Sequence, residues 1–512
     1  MDVSRLQFGS PDIFAQLAAT TRGLQARYPT VDGEMRQILY ADSGATALPL
    51  ITVERSALEF SPGYGSPHSG HGPAQLSTRV LAEAHEIALR FAGAGPKTHD
   101  AIFMGDGTTD AINWVAMMLK RNPLTGSDAG KNMVIFDGKG HHANINPWIY
   151  HLGTKRAKGA KMTDWERGTL PVAEIAQLLE QNKGKVRLVA ITGLDNLMGI
   201  VSPIREVAEL AHRHGALLLV DGAHFVGHAM GATIEPLGKM SMTDLGIDIL
   251  CTSPHKFHAR SADGIVIAPR EFLQGMPVKV GGGHVKTVTL DGFTLIDDVR
   301  KRHEAGTPNV MGALLAGVAL TTLEAIGMQR VWEHDNSLAD QTIAGLLEIA
   351  GLSVLGDNNV TRTPRAAVIS FVLQGLSHAK LAQALFDYRA TAIRHGCHCA
   401  QPAAAEMLRI GHEDLRTFRG EVDDGDKSRV PGMARGSWAV YTTKAQVDRF
   451  IEDVTWVADR RDEIDAEYEV LPSGAARRKD GWNERIREEI WQRHNPYAFA
   501  STGEYELDPL VI

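Results

Sequence analysis

From about Ala101 to Arg270, short apolar runs of β-forming residues alternate with segments whose apolar positions recur at helical spacing. No other feature limits the fold as strongly. The runs are Ala101-Ile102-Phe103-Met104, Met133-Val134-Ile135-Phe136, Val186 to Ile191, Ala216 to Val220, Ile247 to Thr252 and Ile265-Val266-Ile267. Between them, Ala111 to Leu119 and Pro203 to His214 place apolar residues at helical steps, as do Val80, Ala84, Ile87 and Phe91 ahead of the first run. Continuously apolar strands are strands covered on both faces. The expected class is therefore α/β, a mainly parallel sheet with helices on either side.

With 512 residues, 44% of them hydrophobic, the chain has material for a second folding unit. From about Ala316, helical patterns lead to a strand at Ala367 to Leu373 and a helix at His378 to Tyr388, which predicts a smaller α+β domain. The expected division is an N-terminal segment (1–38), a large domain (39–315), a small domain (316–460) and a C-terminal extension (461–512). Gly411 to Gly432 is polar and predicts a long surface loop. In the extension, Trp482, Ile486 and Ile490 recur at four-residue steps and predict a helix that docks on its own protein or on a dimer partner.

The net charge of -8 is spread along the chain without a basic block, which argues against a nucleic-acid partner. Met1 to Gln16 mixes charge and polarity, so neither a signal-peptide core nor a membrane span is expected there, and the expected location is the cytoplasm. Three cysteines, Cys251, Cys397 and Cys399, leave one over after any pairing and are expected as thiols.

In an open α/β sheet, ligands sit beyond the carboxyl ends of the strands. The run ending at Thr252 delivers Ser253-Pro254-His255-Lys256, a lysine among hydroxyl and imidazole groups. Desolvation there would give it the lowered pKa that imine formation needs. The run ending at Val220 delivers Asp221, a carboxylate able to pair with a pyridinium nitrogen. Gly107-Thr108-Thr109, between a strand and a helix, could cradle a phosphate with backbone N–H groups and hydroxyls.

These groups stand in an order that resembles the class V aminotransferase family, in its cysteine desulfurase and selenocysteine lyase branch. The resemblance runs from about Leu39 to Val454. Its segments are Leu39 to Thr46, Gly107 to Asn113, His141 to Trp148, Val220 to His224, Ser253 to Lys256, Glu304 to Asn309 and Arg394 to Ala400. It implies a pyridoxal 5'-phosphate (PLP) enzyme of fold type I, with Lys256 as the Schiff-base lysine and Asp221 as the pyridinium partner. It further implies Thr108, Thr109, Ser253 and His255 around the phosphate, His141 stacked on the ring, and Asn196 at the phenolic oxygen. His224 stands where the desulfurases usually carry glutamine, and Gly140 where they carry glutamate; a histidine at 224 resembles kynureninases and isopenicillin N epimerases.

The resemblance makes Cys399 the nucleophilic cysteine, with Arg394, His395 and His398 as the nearby positive charge a thiolate needs. Zinc held by the Cys397-His398-Cys399 run and His395 is disfavoured, since adjacent residues rarely all turn toward one ion, and no metal is expected. Arg435 matches the arginine that binds a substrate carboxylate, joined by Arg394. The implied protein is a homodimer in which Gly281-Gly282-Gly283 and Thr287 reach the neighbour's phosphate. The implied partners are an amino-acid substrate and a sulfur-acceptor protein. The expected reaction removes sulfur from L-cysteine or a close analogue through a persulfide on Cys399, giving alanine. A C–S lyase or an amino-acid epimerase without a persulfide stays open, favoured by His224 and by the extra residues between Cys399 and Arg435.

Overall fold

Seven strands make the central sheet: β1 (His99–Met104), β2 (Met133–Asp137), β3 (Ala157–Ala160), β4 (Val186–Thr192), β5 (Leu217–Asp221), β6 (Ile249–Thr252) and β7 (Gly264–Pro269). The computed structural model describes residues 6–495 except Thr163 and Trp165, together with Tyr497; the remainder of the expected terminal segments lies outside the described residues. The spatial order is β1-β7-β6-β5-β4-β2-β3. β7 is antiparallel to both neighbours, and the other pairings are parallel.

Successive residues of one strand serve opposite layers. Leu218 and Val220 of β5 join one apolar cluster and Leu219 joins the other, which is why the strands read as unbroken apolar runs. Helices α1 (Gly72–Ala92), α3 (Ile204–Arg213) and α4 (Val310–Ile326) cover the first face, and α2 (Gly107–Arg121) covers the second with Ile112, Val115 and Met118. Edge strand β3 was not foreseen, because Ala-Lys-Gly-Ala has no β-branched or aromatic residue.

A second, antiparallel sheet has the order β8-β9-β11-β10, from β8 (Leu352–Val354), β9 (Val368–Leu373), β10 (Arg394–Gly396) and β11 (Met433–Ser437). Its core is closed by α5 (Met328–Leu347), α6 (His378–Arg389) and α7 (Lys444–Asp459) through Leu338, Leu385 and Phe450. Leu39–Tyr40 pairs in parallel with Thr391–Ala392 as a separate two-stranded sheet, and Asp42 bridges to Ser437 of β11, so the chain passes beside the second sheet before building the larger one.

Gly411 to Gly432 is not one long loop: His412–Asp423 is a helix. Leu415, Phe418 and Val422, at three- and four-residue steps, are half-buried, and this apolar face outweighs the polar composition that suggested a loop. The tail forms a helix at Trp482–His494 with Trp482, Ile486 and Ile490 half-buried. It is tied to its own chain by Asn483, which donates to Asp387 at 2.6 Å. Among the described residues no single helix is long and apolar enough to cross a membrane.

Candidate active site

The carboxyl ends of β4, β5 and β6, the N-terminus of α2 and the paired strands β10 and β11 open on one cavity of about 190 Å³. Lys256 reaches it from a short helical turn after β6, with Nζ 3.1 Å from His224 Nε2. Desolvation lowers the Lys256 pKa to about 8, against the opposing pull of the Asp221 carboxylate. Asp221, the last residue of β5, accepts the Ala223 N–H at 3.1 Å; burial raises its pKa, and Lys256 works in the other direction. His224 is held neutral, well below the ordinary range, by burial and then by the charge of Lys256.

α2 begins at Gly107, whose φ of +64° a side chain rarely adopts; a Cβ there would also stand 2.6 Å from Ser253 Oγ. This close approach lets the Thr108 N–H donate to Ser253 Oγ at 2.8 Å and brings the two hydroxyls to 2.8 Å. Thr109 follows on the first turn and also lines the cavity. The positive end of the α2 dipole and these hydroxyls could hold an anion. His255 lies beside it, its Nδ1 3.2 Å from Thr46 Oγ1 and its pKa lowered by burial to about 4.

On the opposite side, His141 Nδ1 accepts the Ala143 N–H at 3.1 Å, which leaves the ring proton on Nε2. Burial, followed by Lys256, lowers the His141 pKa to about 3, so the ring is neutral. Asn196, on the turn after β4, donates from Nδ2 to the His398 carbonyl at 2.8 Å.

Arg394 and Arg435 face each other across β10 and β11. Arg435 is 2% exposed; Nη1 donates to the Asn196 carbonyl at 2.8 Å and Nη2 lies 3.4 Å from Asp42 Oδ1. Burial lowers its pKa to about 10. Two guanidinium groups directly opposite on one sheet repel, and both line the cavity. An anion between them removes the cost.

Cys399 sits on the turn after β10, which Ala400 N–H closes onto the Cys397 carbonyl at 2.9 Å. The turn is laced to the His141 segment: the His142 N–H donates to the Cys399 carbonyl at 2.6 Å, and the Gln401 N–H to His142 Nε2 at 3.1 Å. Cys399 is partly exposed, and its neighbour His398, rather than Cys399 itself, lines the cavity. Cys397 packs beside a methionine-rich cluster that includes Met198 and Met433, and Cys251 is buried in β6. Thr287 is exposed on the hairpin Val285–Thr289 and Gly292–Leu295 and is not brought to the cavity of its own chain.

The cavity wall keeps polar atoms without a partner among the described residues: Asn196 Oδ1, His224 Nδ1, Thr192 Oγ1 and Arg435 Nε. A helix N-terminus for a phosphate, a buried carboxylate and a lysine of lowered pKa complete a donor set that fits PLP. Asp42 and Thr192 were missed by sequence reasoning. Asp42 lies inside the Leu39 to Thr46 segment, and Thr192 ends β4, so the strand-end rule could have found the second.

Aminotransferase class-V is the family whose sequence model matches, over residues 39–450. A protein named cysteine desulfurase from Yersinia pseudotuberculosis is 30% identical over 436 residues, 84% of this chain and 96% of that one. Another of that name from Dickeya dadantii is 32% identical over 417 residues, 81% and 90% of the two chains. Among solved structures, the apo cysteine desulfurase from Thermococcus onnurineus superposes with a TM-score of 0.69 at 25% identity, over 82% of this chain and 95% of that one. The cysteine desulfurase CsdA from Escherichia coli does so with a TM-score of 0.68 at 27% identity, over 88% and 98%.

Proposed function

The chain belongs to the class-V aminotransferase family, as a PLP-dependent enzyme of fold type I, and on that footing we propose that it removes sulfur from L-cysteine or a close analogue. The observation that carries this reading is the convergence of Lys256, Asp221, the α2 N-terminus and Arg435 on one cavity, with the Cys399 turn fastened to His142 at its rim.

When bound, PLP supplies an electron sink for the charge that develops at the substrate α-carbon. Lys256 would hold it covalently, Asp221 would keep the proton on its ring nitrogen, and Thr108, Thr109, Ser253 and His255 would hold its phosphate. His141 would cover the ring, with Asn196 and His224 at the phenolic oxygen. Arg435, assisted by Arg394, binds the substrate carboxylate. The amine of Lys256 would take the α-proton and give it back to Cα after the sulfur has left, for which a pKa of about 8 suits it near neutral pH. The Cys399 thiolate attacks the substrate sulfur: an S–S bond forms, the Cβ–S bond breaks, and Cβ takes a proton to become the methyl group of alanine. A sulfur-acceptor protein collects the sulfur from the persulfide. In a cytoplasmic homodimer, Gly281 to Gly283 and Thr287, on this exposed stretch, would contact the neighbour's phosphate. The domain limits 39–315 and 316–460 are part of the same proposal.

One observation favours a second reading. His224 next to Lys256 Nζ supplies an imidazole where the desulfurases usually carry an amide, which suits a C–S lyase or an epimerase. Product analysis after incubating the PLP-loaded enzyme with L-cysteine separates the two. Alanine with sulfide or persulfide is expected; pyruvate with ammonia would point to the lyase, and racemised amino acid to the epimerase.

A further inference from the structure

Behind the cavity lies a buried ion pair that the reaction does not consume. Lys139 and Asp195 are each 1% exposed, and Lys139 Nζ donates to Asp195 Oδ2 at 3.1 Å and to the Gly168 carbonyl at 3.0 Å. Asp195 Oδ1 accepts the N–H groups of Leu197 and Met198 at 2.8 and 2.7 Å, so this carboxylate shapes the turn that presents Asn196. Lys139 itself sits on the turn leading from β2 to His141: its N–H donates to Asp137 Oδ1 at 3.0 Å, and Gly140 N–H to the Asp137 carbonyl at 3.2 Å. The Asn196 turn is gripped from its far side as well, where Arg365 Nε donates to the Met198 carbonyl at 2.7 Å.

Taking two charges out of water is expensive, and an apolar pair of similar size would fill the space at less cost. What the pair adds is direction. One ammonium, borne by the turn that leads to His141, ties it by two hydrogen bonds to the turn carrying Asn196 and to the segment of Gly168. We propose that Lys139 is a positioning residue which, through Asp195, sets the spacing of His141 and Asn196 along one wall of the cavity. This rests on the reading of those two residues as cofactor contacts.

The test uses the full chain loaded with PLP. Lys139→Met alone strands the Asp195 carboxylate in the interior and lowers the melting temperature, which a purely structural pair would also do. Lys139→Met combined with Asp195→Asn removes both charges, and the amide oxygen at 195 still accepts from Leu197 and Met198. This double variant is expected to melt close to the wild type. It is also expected to lose about tenfold in kcat with little change in KM, as misplaced contacts do. The pH at which the visible absorption of the bound cofactor changes is expected to move. A double variant with wild-type kcat and an unmoved absorption titration overturns the proposal, and so does one that still melts far below the wild type, because the pair then serves stability alone. Wild-type protein that takes up no PLP would instead sink the cofactor reading on which the proposal stands.

Discussion

Replacing Arg435 by lysine tests how the site recognises its substrate. The guanidinium spends Nη1 on the Asn196 carbonyl at 2.8 Å and leaves Nε buried without a partner among the described residues, while Nη2 lies at the long distance of 3.4 Å from Asp42. The Nε–Nη2 edge can thus take a carboxylate with two parallel hydrogen bonds once Nη2 exchanges its long bond to Asp42 for the substrate. Lysine keeps the charge that Asp42 needs, so the fold is spared a stranded carboxylate, but its single ammonium cannot serve the Asn196 carbonyl and both substrate oxygens. One charge-assisted hydrogen bond lost is worth about 1.5–3 kcal/mol. Arg435→Lys should therefore raise KM for L-cysteine by about 10- to 150-fold and change kcat much less. Steady-state assays of alanine release, with melting curves alongside, measure this. A KM within about twofold of the wild type, at unchanged stability, would refute the assignment.

Lys256→Met should stabilise the cofactor-free protein at pH 7. The folded state lowers the lysine pKa from 10.5 to about 8, so between those values the unfolded chain binds the proton that the folded chain has lost, and stability rises with pH. The penalty of up to about 3 kcal/mol is fully present below pH 8 and gone above 10.5; equal gains in melting temperature at pH 7 and pH 10.5 would contradict this. Gly140→Glu should destabilise by about 1–3 kcal/mol, because its Cβ would stand 2.9 Å from Thr192 Oγ1 and 3.2 Å from the Asp137 carbonyl, and unchanged chemical denaturation would dismiss it. Cys399→Ser should take up PLP normally but release almost no sulfur, whereas Cys397→Ser should change little; equal effects would mean that the two thiols share the role.

How much could be read beforehand follows from where the information lies along the chain. Groups such as Asp221 and Lys256 could be read because an apolar run that stops at polar residues announces both the strand and the mouth of the sheet. The place of Thr108 and Thr109 at the cavity was visible from the glycine between strand and helix. The Lys139–Asp195 pair was not visible: neither residue departs from surface composition, and only the parallel pairing of β2 with β4 brings the turns that follow them together. Arg394 and Arg435 each looked like a carboxylate ligand, but their direct opposition depends on the register of β10 against β11. The helix at His412–Asp423 was missed because three apolar residues among many charges satisfy a partly buried helix yet do not stand out in composition.

The most direct test of the central claim is tandem mass spectrometry of the PLP-loaded enzyme after brief exposure to L-cysteine and alkylation. The account predicts one additional sulfur atom on the peptide containing Cys399, absent from Cys399→Ser, with alanine formed alongside. An unmodified Cys399 in protein that continues to turn over L-cysteine would contradict it.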